Sequence, residues 1–186
     1  VPISPYRVFS ELAKAVDSAE TIITHDSGYP RDQLVPFWET VSPRGYLGWG
    51  KSTQLGYGLG LALGAKLAAP ERTVAALVGD GTFMFGCPTA ALWTAAEHKT
   101  PFLTVILNNQ MHFATKRSWL MHYPEGTAKQ TNRFPGVDLS PSPDFARLAQ
   151  SCHAYGEQVD DPRALPEALN RGLEAVAAGQ AAVLDI

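Results

Sequence analysis

The sequence predicts an α/β protein, a three-layer doubly wound parallel sheet with helices on both faces. Three observations predict it. Short apolar runs alternate with helical periods from one end of the 186-residue chain to the other, outside two turn-rich stretches. Proline after a short polar residue opens several of the helical stretches. Acidic or amide residues close two of the apolar runs, as Gly79-Asp80-Gly81 and Asn108-Asn109. A parallel sheet collects its ligands at such carboxyl ends.

Taken in order, Ser4 caps a helix that has Pro5 at its first position, and Val8, Leu12 and Val16 recur on its inner face. Residues 21–24 form a short strand that ends in His25-Asp26-Ser27-Gly28. Residues 30–53 carry Pro36, Pro43, Gly45, Gly48 and Gly50, which predicts mostly loop with one short helix. Residues 54–68 predict a helix rich in glycine and alanine, able to approach a backbone or ligand closely. A buried strand follows at 73–78. The next helix, 88–99, turns Ala91, Leu92, Ala95 and Ala96 inward, and a strand occupies 102–107.

Residues 123–141 are polar, broken by proline and without an apolar period, which predicts a surface excursion. A helix from 143, capped by Ser142, then leads to a strand at 154–159. The last helix is capped by Asp161 with Pro162 first and turns Leu165, Leu169 and Leu173 inward, before a final strand at 181–186.

Composition narrows the function classes. A chain of this length needs only one domain, 1–186. The net charge of −3 is spread over both signs, so no basic stripe is available for nucleic acid. The longest uncharged runs, 81–96 and 100–115, are too short and polar to span a bilayer. Two cysteines, Cys87 and Cys152, without a CxxC pair exclude a zinc framework and fit a reducing, cytoplasmic setting in which both fill small buried sites. Val1 stands where a methionine would start a chain, and residues 1–5 read as linker, so a piece of a longer polypeptide is expected.

Three glycine motifs compete for a phosphate. Gly45-Tyr-Leu-Gly-Trp-Gly50-Lys51-Ser52 satisfies GxxxxGK[ST], the loop of P-loop NTPases, but the stretch before it reads as loop rather than buried strand. Gly58-x-Gly60-x-x-x-Gly64 with Asp80 downstream imitates a dinucleotide fingerprint. Its glycines fall inside a helix, where close packing explains them equally well. Asp80 and Asn109 each follow a clear strand, and the interval between them holds one helix and one strand. That brings two hard oxygen donors to one sheet edge, where they can share Mg²⁺ with a diphosphate.

With Gly56-Tyr-Gly-Leu, Ala62-Leu-Gly-Ala65, Gly79-Asp-Gly-Thr82, Ala91-Leu-Trp-Thr-Ala-Ala96 and Asn108-Asn109, the chain resembles the thiamine diphosphate (ThDP) dependent enzymes of the acetohydroxyacid synthase, benzoylformate decarboxylase and pyruvate decarboxylase group. The resemblance covers nearly the whole chain and implies the carboxyl-terminal, diphosphate-anchoring domain, with the thiamine diphosphate-binding fold. It implies Asp80, Asn109 and the backbone carbonyl of Met111 as Mg²⁺ ligands, with Gly79, Gly81 and Thr82 against the diphosphate. For Gly81 a plain tight turn is the alternative, and for Thr82 a helix cap.

Leu55 matches the bulky residue that, in the family, bends the cofactor, and it fits a core position equally. Thr53 stands where the family usually has the glycine whose carbonyl meets the cofactor's 4′-amino group. Beyond Asn109 relatives continue with tyrosine or glutamine and glycine, whereas this chain has Met111-His112-Phe113. His112 and Phe113 therefore become cofactor-covering and substrate-side candidates, and His25 a further candidate at its strand end; a structural role is the alternative for either histidine. His98, His122 and His153 read as surface or helix-end residues, and Trp93 as core.

The resemblance further implies that the cofactor supplies the chemistry on a 2-keto acid or related carbonyl, as in an acetolactate synthase-like decarboxylase or carboligase. In the family the activating glutamate belongs to an amino-terminal pyrimidine-binding domain of a second subunit, so this segment alone is expected to bind Mg²⁺-ThDP weakly and turn nothing over. Some relatives bind FAD, which nothing in this segment indicates. The faces that would meet those partners should form an exposed apolar patch, and a homo-oligomer would cover it. A non-catalytic cofactor-binding or regulatory module is the other reading.

Overall fold

Runs of small and β-branched residues build six strands that all pair in parallel. In this computed structural model, which describes residues 3–27, 31–48 and 54–186, they are β1 (Thr21–Asp26), β2 (Tyr46–Gly48), β3 (Thr73–Gly79), β4 (Leu103–Leu107), β5 (Tyr155–Gln158) and β6 (Ala182–Asp185). Their order is β2-β1-β3-β4-β6-β5. The register pairs Asp26 with Val78, Gly79 with Leu107 and Ile106 with Asp185. Asp26, Gly79, Leu107 and Asp185 consequently end at one edge. The chain leaves β1 toward β2 and β3 toward β4, on opposite sides, so their carboxyl ends part in a crevice.

Alternation along the strands feeds two cores, one on each face. On one face Ile22, Val74, Ala76, Val78, Ile106 and Val183 meet α3 (Gly58–Ala68), α5 (Pro88–Glu97) and α8 (Phe145–Ser151). On the other Ile23, Ala75, Leu77, Val105 and Leu184 meet α1 (Pro5–Ala15), α2 (Arg31–Leu34) and α9 (Leu165–Ala177). This is the predicted three-layer sandwich. Three further helices, α4 (Asp80–Phe85), α6 (Phe113–His122) and α7 (Thr127–Thr131), complete the described set. Of these, α6 and α7 bury no residue, whereas Phe83 of α4 is fully buried edge-on to Phe145, centroids 5.2 Å apart.

Several element boundaries differ from the sequence reading, each for a local reason. The turn-rich stretch contains an edge strand, β2, paired with β1 from Ile23↔Tyr46 to His25↔Gly48. The glycine-rich helix starts at Gly58, four residues late, because Gly56 takes a φ of +95° and the Asp26 carboxylate accepts the amides of Gly56 (2.9 Å) and Gly58 (2.8 Å). The predicted close packing of its glycines holds at Gly58, where a Cβ would stand 2.7 Å from that of Asp26, whereas Gly60 and Gly64 face open space.

The caps also shift. Ser4 occupies its cap without a side-chain bond, and Asp144 rather than Ser142 caps α8, accepting from the Arg147 amide at 2.9 Å. The last helix begins at Leu165 with Pro166 in its first turn, because Asp161 holds a turn instead, accepting from the Arg163 amide. Trp93 is 56% exposed and Ala96 is exposed, since none of the described residues covers that face of α5. Cys152 is buried as expected, but Cys87 is exposed, with a φ of +48° at the start of α5. No described helix is long and apolar enough to cross a membrane.

Candidate functional site

The carboxyl ends of β1, β3, β4 and β6 floor a cavity of about 850 Å³. Its wall on the β3 side is Gly79, Asp80, Gly81 and Thr82, and on the β4 side the run from Leu107 to Lys116. Leu55, Ser27, Gln33, Ile186 and the start of α1 complete the rim, with Asp138 and Ser140. The carboxyl-end placement thus brings the two predicted strand-end motifs together.

Asp80 opens α4 and is 3% exposed. Its Oδ2 accepts the Met111 amide at 3.1 Å, and the Asn109 Oδ1 accepts the same amide at 3.1 Å. Two hard side-chain oxygens from different strands therefore converge on one nitrogen. Burial pushes the Asp80 carboxyl above the usual carboxylate range, opposed by the Gly81 and Met111 backbone amides and by His112. A buried carboxylate so placed gains from a cation. The Met111 carbonyl accepts from the Phe113 amide at 2.9 Å, and its oxygen has a second lone pair. Among the described residues no three His, Cys, Asp or Glu side chains are grouped to hold a metal, so a cation here would require the amide and this carbonyl.

Gly81 is buried and its missing side chain matters. A Cβ there would lie 2.3 Å from His112 Cε1 and 2.4 Å from Nδ1, so the imidazole rests directly on the glycine backbone. The same ring tilts against Phe85, centroids 5.9 Å apart. Thr82 is 6% exposed and stands inside the first turn of α4, three residues past the Gly79 cap position, so it is not the cap. Amides in a first turn have no carbonyl partner within their helix, and the chemistry they suit is anionic oxygen.

Two backbone hydrogen bonds tie the loop from β4 into α6 to residues 137–139. Gln110 has a φ of +56°, the His112 amide donates to Val137 O (2.8 Å) and the Leu139 amide to Gln110 O (2.9 Å). The expected surface excursion therefore folds back on this loop, burying Val137, carrying α7 and pairing Asp138 with Met111 in an isolated antiparallel bridge. Asp185 is buried beside the loop, and burial together with the Asp80, Asp160 and Asp144 carboxylates pushes its pKa up to about 6 against the opposing hydrogen bond from Asn108.

Other candidates fall as follows. Leu55 is on the cavity rim and 37% exposed, so it is not core. Phe113 lines the cavity at the start of α6. His25 is fully buried in β1, edge-on to Phe9 and 3.2 Å from the Tyr46 hydroxyl through Nδ1, and it does not line the cavity. Its carbonyl accepts from the Tyr57 hydroxyl, which burial pushes well above its ordinary pKa. His98, His122 and His153 are exposed. Thr53 lies outside the described residues, as do Trp49 to Ser52 of the P-loop pattern; Tyr46–Gly48 of that pattern is strand, where a phosphate loop must be loop. Sequence reasoning missed Lys116, Asp138 and Ser140 on the wall. The helical period places Lys116 one turn beyond Phe113, on the same face, and could have found it.

The model for the thiamine pyrophosphate enzyme C-terminal TPP binding domain matches residues 26–186. The chain is 31% identical over 177 residues to a probable acetolactate synthase large subunit of Methanococcus aeolicus, covering 93% of this chain and 28% of that protein. It is 30% identical to benzoylformate decarboxylase of Pseudomonas aeruginosa over 85% of this chain and 27% of that protein. Among solved structures, a thiamine diphosphate-dependent 4-hydroxybenzoylformate decarboxylase of Rhodococcus jostii RHA1 superposes with a TM-score of 0.83 at 28% identity, covering all of this chain and 32% of that one. The chain thus spans under a third of the length of these relatives.

Proposed function

This chain belongs to the thiamine pyrophosphate enzyme family as its C-terminal TPP binding domain, and from that premise we propose that Asp80, Asn109 and the Met111 carbonyl hold Mg²⁺ against the diphosphate of ThDP. The observation that carries the proposal is the convergence of the Asp80 and Asn109 oxygens on the Met111 amide, at the wall of the cavity. The donor set is all oxygen, as Mg²⁺ requires, and leaves positions for phosphate oxygens and water.

On this reading each residue has its own part. Asp80 supplies the charge and Asn109 a neutral oxygen. Gly79 and Gly81 permit close backbone approach, and Thr82 offers amide and hydroxyl donors. Leu55 supports the cofactor from the rim, while His112 and Phe113 cover it from the start of α6 and face the substrate side. Thr53 we assign to the cofactor's amino group by the family pattern alone. When bound, the cofactor supplies nucleophilic carbon chemistry on a carbonyl substrate; the chain anchors it and shields it from water.

For the whole protein we propose an acetolactate synthase-like decarboxylase or carboligase acting on a 2-keto acid, in a reducing cytoplasm. The likeness to an acetolactate synthase and to two decarboxylases supports this reading. The activating glutamate and much of the substrate pocket would come from a pyrimidine-binding domain of a second subunit, so this chain alone turns nothing over. The exposed Leu67, Met84, Phe85 and Trp93 are suited to packing against those parts.

The test is calorimetric titration with ThDP and Mg²⁺, and separately with ATP and Mg²⁺. Binding of ThDP only, abolished in Asp80→Ala, is expected. Binding of ATP, or unchanged ThDP binding in Asp80→Ala, would overturn the assignment.

A further inference from the structure

Asp185 stands at the end of β6, far in sequence from the metal loop, and is only 6% exposed. Its Oδ1 accepts from Asn108 Nδ2 at 2.9 Å. With its amino group committed to that carboxylate, Asn108 turns its Oδ1 the other way, where it accepts from the Gln110 amide at 3.1 Å and from the Ser142 hydroxyl at 3.2 Å. The two ends of one side-chain amide thus bind β6, the metal loop and the segment leading into α8. The backbone fixes the frame beneath it, the Asn108 amide donating to Ile186 O at 2.8 Å.

The bond to the Gln110 amide is the mechanically important one. Gln110 holds a φ of +56°, a conformation that costs a side-chain-bearing residue free energy and persists only where its surroundings impose it. The turn at Gln110 is what points the Met111 amide at both Asp80 Oδ2 and Asn109 Oδ1. An Asn108 amide flipped by half a turn would set its amino group against the Gln110 amide, donor to donor. The carboxylate of Asp185 forbids that flip, because it accepts only from the amino end.

We propose that Asp185 is a positioning residue: through the Asn108 amide it imposes the Gln110 turn that brings Asn109 and Met111 into register with Asp80. The inference rests on the Mg²⁺-diphosphate reading of this edge for its functional meaning, but the geometric link from Asp185 to the Met111 amide stands apart from it.

A donor–acceptor swap tests the link with little change of shape. Asn108→Asp keeps an oxygen for the Gln110 amide and the Ser142 hydroxyl but sets it against the Asp185 carboxylate, acceptor to acceptor. Asn108→Asp combined with Asp185→Asn restores the pair in reverse, with residue 185 now donating. Two readouts at pH 8 are taken on the wild-type chain and both variants: hydrogen exchange of the Gln110 and Met111 amides in the cofactor-free chain, and the dissociation constant for Mg²⁺-ThDP. In the single variant exchange at both amides should speed at least tenfold and Mg²⁺-ThDP binding should weaken at least tenfold, with both returning to within threefold of wild type in the double variant. Unchanged exchange in the single variant, or no recovery in the double, overturns the proposal. If the single variant fails to fold, recovery of wild-type exchange in the double variant still supports it and continued rapid exchange refutes it. Wild-type chain that does not bind Mg²⁺-ThDP would instead overturn the reading of the site, while the exchange data judge the positioning link on their own.

Discussion

Substituting Gly81 by alanine asks whether that glycine is bare for the sake of a ligand or of His112. The new methyl would lie 2.3 Å from His112 Cε1, 2.4 Å from Nδ1 and 3.3 Å from Leu139 Cδ1. Non-bonded carbons settle at about 3.5–4.0 Å, so the imidazole must retreat by more than about 1 Å. The ring is only half buried, and the cavity offers it somewhere to go. The cost to folding should therefore sit near that of a forced rotamer, about 1 kcal/mol, rather than at the top of the overpacking range. In a chain of this size that lowers the melting temperature by roughly 2–4 °C. Ligand binding should suffer more, because the methyl and the displaced ring both enter the space that the proposed function gives to the diphosphate. A loss of at least about tenfold, or 1.4 kcal/mol, is expected in the dissociation constant for Mg²⁺-ThDP. Melting curves and calorimetry on Gly81→Ala, His112→Ala and the double variant separate the effects. Removing the imidazole should restore the melting temperature of the alanine variant but not its binding. A double variant that binds as tightly as His112→Ala would refute the reasoning, since Gly81 would then be bare only to seat the imidazole.

The remaining predictions concern the scaffold. At Gly156 a Cβ would stand 2.1 Å from the Ala146 carbonyl oxygen and 2.9 Å from its Cα, and neither backbone atom can swing aside. Gly156→Ala should therefore force β5 from α8 at a cost of about 3 kcal/mol, lowering the melting temperature by roughly 6–12 °C; a change under 2 °C, well below that range, would show that the contact yields. The Arg171 guanidinium beside Glu157 holds its carboxyl below the ordinary value of 4.5, aided by the Tyr155 hydroxyl. A depressed folded pKa makes the pair's contribution complete above that ordinary value and progressively lost as pH falls through the folded one. Glu157→Gln should accordingly melt below wild type at neutral pH, with the gap closing in acid; a gap that widens in acid would contradict the sign.

The end of β3 shows how far the sequence reaches. Residues 74–78 are unbroken and apolar, so they had to be a strand buried on both faces, and Gly79-Asp80-Gly81 had to follow at its carboxyl end. The same argument placed Asn109 after β4, and a parallel sheet then left both at one edge. The residues of the candidate anchor were thus legible because each depends on its own strand and on a topology with few alternatives. Trp93 and Cys87 were misread for the converse reason: an apolar residue type suggests burial, while what covers the residue is settled by elements elsewhere in the fold.

What the sequence determined by itself was the alternation of strand and helix, the two-faced sheet and the strand-end location of Asp80 and Asn109. These follow from periods of two and of 3.6 residues and from local turn chemistry. Only the tertiary structure decided that β2 pairs at the edge, that Asp26 delays α3, that His112 lies on Gly81 and that Asp185 reaches Asn108. Each of those contacts joins residues from separate elements, and their geometry exists only once the sheet has set the distance between them.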